Sequence, residues 1–126
     1  MNDEHLKRIT DEMQQVEYLQ QFVLESMWTA ANSTETKYLV EYYHHFYALM
    51  EKQHILWTRM TLMNNPAYAG ILLAIEMVCD ALGKPPSMSV AAFHSVTRNE
   101  VKATLSELTG EDLDDYDGID VDFKWS

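Results

Sequence analysis

Residues 39–63 read LVEYYHHFYALMEKQHILWTRMTLM, twenty-five positions without a glycine or proline. Leu39, Tyr42, Phe46, Leu49, Gln53, Leu56, Met60 and Met63 recur at alternating spacings of three and four. That period places them on one face of an α-helix, because 3.6 residues complete a turn. Further apolar and aromatic residues, among them Val40, Tyr43, Tyr47, Met50 and Trp57, share the remaining circumference with polar ones. A second stretch upstream has the same form. Leu6, Ile9, Met13, Val16, Val23 and Met27 mark a heptad seam over 3–31, with Gln20 in its gap and Leu19 and Phe22 widening the apolar face. Asn32-Ser33-Thr34 breaks the two runs, and Ser33 or Thr34 can cap the second with Glu35 in its first turn. Two long helices joined by a few polar residues make an antiparallel hairpin.

Downstream, Asn64-Asn65-Pro66 stops the second helix. Asn65 suits an N-cap and Pro66 a first helical position. A third helix is expected over 66–82, with Ile71, Leu72, Ile75, Val78, Cys79 and Leu82 inward and Gly83 as its C-terminal cap. Residues 87–96 read as a short helical piece with Val90 and Phe93 inward. Thr97-Arg-Asn-Glu100 matches a capping box and predicts the start of a fourth helix running to Leu108. The expected fold is all-α: a long antiparallel hairpin with two or three shorter helices packed on it over 1–110, then an acidic tail over 111–126.

The charge is distributed unevenly. The chain has 126 residues, with 20 Asp and Glu against 9 Lys and Arg and a net charge of −11. Seven of the acids and one base fall within 111–126. Such a balance argues against direct binding to a nucleic-acid backbone. A single cysteine, Cys79, excludes an intrachain disulfide or a Cys-rich zinc site, and its place on an apolar stripe reads as packing. There is no phosphate-cradling glycine loop and no nucleophile elbow. An Asp-rich stretch, Asp115-Tyr-Asp117-Gly118, fails as an EF-hand, because Leu113 and Lys124 would occupy the terminal ligand positions. No secretory leader or apolar run of membrane-spanning length is evident, so a cytoplasmic protein is expected. No catalytic residue and no cofactor are assigned.

Two regions carry candidate chemistry. On the second helix, Glu41, His44, His45, Glu51 and His54 form a cluster of imidazoles and carboxylates suited to zinc or iron. Glu51-x-x-His54 is half of the di-iron bundle motif, and a homodimer would supply the second half. The same five residues also read as the polar stripe of an amphipathic helix. In the tail, Ile119, Val121, Phe123 and Trp125 alternate with Asp120, Asp122 and Lys124. An extended chain would put the apolar set on one face, for a partner's sheet edge or pockets, and the charged set on the other.

Self-association is expected on two grounds. Helices of nearly thirty residues span roughly 43 Å, longer than a compact domain of this size is wide. The second helix is also apolar around much of its circumference. Folding the hairpin at residue 33 places Gln20 opposite His45 rather than Gln53, so each seam glutamine would need another partner or water.

The segment from Leu49 to Ala67 resembles a small helical family of uncharacterised proteins from cyanobacteria and their viruses. Trp57, Arg59, Leu62 and Pro66 occupy the places of an aromatic-x-Arg step and a Leu-Ser turn, with Met63 where Ser is usual. The resemblance implies a source and a helical fold and carries no activity. Val121-Asp-Phe123 is similar to the terminal sliding-clamp-binding peptides of phage replication and late-transcription proteins. The expected function is therefore a non-enzymatic interaction or adaptor protein, homodimeric, docking on a partner protein through the tail. The competitors are an acidic nucleic-acid mimic that inhibits a host protein, and a metal-binding helical dimer.

Overall fold

The computed structural model describes residues 3–111. It is built of helices α1 (Asp3–Ala31), α2 (Thr36–Met63), α3 (Ala69–Ala81) and α4 (Val90–Thr109), with a 3-10 turn at Pro66–Tyr68 leading into α3. The all-α architecture and the long hairpin are as the periodicity requires. Among the described residues no helix is long and apolar enough to cross a membrane.

The hairpin closes at Asn32–Glu35. Ser33 Oγ accepts from the Glu35 N–H, and Glu35 occupies the cap position of α2 without a side-chain cap bond. Ser33 therefore shapes the turn instead of capping the helix. α2 ends where Asn64 adopts a left-handed φ of 47° and its N–H reaches the Met60 and Thr61 carbonyls. Asn65 Oδ1 then accepts from the Ala67 N–H at 2.9 Å, the cap expected at that step.

α2 is the central element, packed along α1 on one side and α4 on another, and more lightly on α3. Its wide apolar surface is met largely within the chain. Tyr42, Leu49, Leu56 and Met60 join the α1 side of the core, while Tyr47 packs with Val101 and Leu105 of α4. On α1 the row Ile9, Val16, Val23 and Ala30 is buried. The other row of the seam fades toward the turn: Met13 and Gln20 are half-buried and Met27 is exposed. Met13 and Gln20 face Ile71 and Ile75 of α3 across a small groove, and α3 is only 13 residues long. Met63, at the far end of the α2 seam, is also exposed.

The fourth helix differs from expectation. One uninterrupted α4 runs from Val90, and its N-cap is Ser89, whose Oγ accepts from the Ala92 N–H at 3.1 Å. Thr97 is buried in the helix interior instead of opening it. The capping-box pattern at 97–100 is mimicry: Thr97 lies in step with Val90, Val101 and Leu105, so packing decides its place. Ser89→Ala should lower stability by about 1 kcal/mol, read as a shift in the urea midpoint at unchanged slope.

The α3–α4 connection is held by Lys84. Gly83 takes φ +107°, and the following ammonium is buried. Lys84 Nζ pairs with Asp80 Oδ1 at 3.2 Å and donates to the carbonyls of Pro85 (3.3 Å) and Met88 (3.1 Å). A buried cation is tolerated because each donor finds an oxygen.

Candidate functional site

The five metal candidates of α2 do not converge. His45 turns toward α1, where its ring stacks on Phe22 with centroids 4.0 Å apart. Its Nδ1 lies 2.7 Å from the Glu41 carbonyl oxygen, which can only accept, so Nδ1 carries the proton. His54 turns the other way, toward His94 of α4. Glu41 is exposed, and His44 and Glu51 are half-buried. Among the described residues no three His, Cys, Asp or Glu side chains come together to hold a metal ion. The tail residues Ile119, Asp120, Val121, Asp122, Phe123 and Trp125 lie outside the described residues.

What the fold does assemble is a buried polar network with a member from every helix. Gln53 of α2 is its centre, wholly excluded from solvent at 0% exposure. Its Nε2 donates to Gln20 Oε1 of α1 at 2.9 Å. Its Oε1 accepts from Cys79 Sγ of α3 at 3.2 Å and lies 2.7 Å from His94 Nε2 of α4. Cys79 and His94 are likewise 0% exposed, with Sγ and Nε2 3.8 Å apart. The outer member is the half-buried His54, whose Nδ1 stands 3.3 Å from His94 Nδ1.

The geometry overturns the expectation that Gln20 faces His45. Phe22 occupies that position, and the two glutamines pair directly. The facing offset is not constant along the hairpin: Tyr38 bonds the Ser26 carbonyl near the turn, whereas Arg59 pairs with Glu12 at the far end. A single offset fixed at the turn cannot follow this drift.

The hydrogen bonds assign the protons. Gln53 Oε1 only accepts, so His94 carries its proton on Nε2 and presents Nδ1 as an acceptor. His54 must then supply the proton between the two Nδ1 atoms. The bonds run in one sense: His54 to His94 to Gln53 to Gln20, with the Cys79 thiol joining at Gln53.

Electrostatics keep this network neutral. Burial, then His54, then Arg98 push the His94 imidazole down to about 3. His54 is lowered by burial and by Arg98. Burial pushes the Cys79 thiol up to about 12 against the opposing pull of Lys84. A nucleophilic cysteine needs the reverse, a thiolate stabilised by an imidazolium. The Cys79–His94 pair is thus a structural junction. Tyr42 is also raised to about 12, by burial and then by Tyr43 and Tyr38.

His94 is the network residue that sequence reasoning missed. Its signal was available: 94, 97, 101 and 105 continue one stripe at spacings of three and four. Comparison with known proteins finds no matching family model, curated protein or solved structure.

Proposed function

We propose that the protein is a non-enzymatic interaction protein: a helical domain, self-associating as a homodimer, that carries an acidic tail to a partner protein. One observation carries the reading. In the described domain the thiol and imidazole best suited to chemistry are sealed at 0% exposure and held neutral, as ties between helices. The surface, in contrast, carries apolar side chains, among them Leu73 and Met77 one turn apart on α3, and Trp28 at 76% exposure. Exposed large apolar groups are the raw material of protein contacts. The tail adds acids for steering and aromatics for anchoring.

The test is affinity capture from a cyanobacterial lysate, with full-length protein beside the variant Ile119→Ala/Val121→Ala/Phe123→Ala/Trp125→Ala. A partner retained by the wild type and reduced at least tenfold by the variant supports the reading. Equal retention removes the tail from the function. Self-association is checked separately by light scattering at micromolar concentration: about 29 kDa is expected, twice the 14.6 kDa chain mass, and the chain mass alone would remove the dimer.

A further inference from the structure

Half the basic residues of the first 110 positions line one groove, in a chain of net charge −11. Lys7 and Arg8 of α1 and Lys52 and Arg59 of α2 border a cavity of about 470 Å³, open to solvent, with Asp11 and Glu12 among them. Arg59 is paired with Glu12, whereas Lys7, Arg8 and Lys52 form no ion pair among the described residues. The other carboxylate oxygen of Glu12, Oε2, is buried and has no hydrogen-bond partner. The groove thus concentrates cations and holds one acceptor in want of a donor.

We propose that this groove is the docking site of the chain's own residues 119–125. Charge is the first argument. Asp120, Asp122 and Lys124 alternate in the sequence, so in an extended chain they share a face at about 7 Å intervals. That face bears two acids and one base, and the groove offers cations for the acids and Glu12 or Asp11 for Lys124. Lys52 and Arg59 are two turns apart on α2, about 10 Å, so an extended peptide lies across both.

Reach is the second argument. Leu105, near the end of α4, packs with Tyr47 and is flanked by Val40 and Tyr43, so α4 ends beside the first half of α2. The groove begins at Lys52, roughly 20 Å farther along α2, and passes Arg59 at roughly 30 Å. A chain advancing at most ~3.3–3.6 Å per residue covers that distance in seven to ten residues. Counted from Gly110, it arrives at 117–120, where the alternating segment starts. The groove lies beside α1, and the remaining residues allow for the path around the helix. The proposal holds whether or not the tail also has an outside partner.

Zero-length carbodiimide cross-linking of the full-length protein, followed by peptide mapping, tests it. The expected products join Lys7 or Lys52 to Asp120 or Asp122, or Lys124 to Asp11 or Glu12. They should appear in the monomer band at every concentration. Their yield should fall at least fivefold in 0.5 M NaCl, where charges are screened beyond about 5 Å. The variant Arg8→Glu/Lys52→Glu should keep its far-UV circular dichroism and lose the Lys7 products at least fivefold. Three results overturn the proposal: no such products, products confined to the dimer band, or tail acids joined instead to Lys37, Lys84 or Lys102. None of these readouts depends on lysate capture, so the docking site and the adaptor reading fail separately.

Discussion

Gln53→Leu should lower the unfolding free energy by about 2–4 kcal/mol, seen in urea titration as a lower midpoint at unchanged slope. The side chains are similar in size, so the loss comes from stranded partners. His94 Nε2 loses the acceptor at 2.7 Å, Cys79 loses the one at 3.2 Å and Gln20 loses its donor. Each buried group left without a partner costs about 1–3 kcal/mol, and the half-buried Gln20 and weakly bonding thiol fall at the low end. A typical domain has only about 5–15 kcal/mol in total, so this one amide is a large fraction of the whole. The double variant Gln53→Leu/His94→Leu should cost less than the sum of the singles by at least about 1 kcal/mol, because neither of these two side chains then strands the other across their 2.7 Å bond. Additive singles would show that the two side chains are not coupled.

The second large effect is acid sensitivity. His94 is held at about 3 in the folded protein, against 6.5 ordinarily. Between those values the unfolded chain binds the extra proton. Stability is therefore complete above about pH 6.5 and declines as pH falls, at up to about 1.4 kcal/mol per unit, until about pH 3. From pH 7 to pH 5 this amounts to about 2 kcal/mol. His54, also lowered, acts in the same direction. Few carboxylates protonate in that window, so the histidines dominate it. His94→Leu should lose most of the slope between pH 7 and pH 5, even though it is less stable at pH 7. An unchanged slope in that variant would place the acid sensitivity elsewhere.

These two residues also mark where the sequence was readable. The three-four spacing gave α1, α2 and α3, because an amphipathic stripe depends only on local period. Asn65-Pro66 and Gly83 gave the boundaries around α3, because caps and breakers also act locally. The start of α4 is not legible in this way, since Thr97-x-x-Glu100 satisfies a local rule that tertiary packing overrides. Gln20 and Gln53 were recognised as polar intrusions in the seam. Their pairing depends on how two helices slide past each other over some twenty residues, and no local pattern encodes that offset. His94 is legible only along the stripe through Thr97, Val101 and Leu105, because a single imidazole on a helix face carries no local signal of a buried partner. The five candidates of α2 are scattered within one chain for the complementary reason: His45 turns to α1 and His54 to α4 once both flanks of the helix are occupied.

The thiol at the meeting point of four helices gives the molecule an internal clock. Cys79 is the only cysteine, is fully enclosed, and stays protonated at neutral pH. A thiol-specific reagent can modify it only during moments when α3 lifts from α2 and α4. Each modified molecule then records one opening, in a single mass increment with no second site to confuse the count. When reclosing is slow relative to modification, the labelling rate is the opening rate itself; when it is fast, the rate reports the free energy of opening. The same experiment across pH would show whether protonation of His94 releases α4 alone or the whole bundle together.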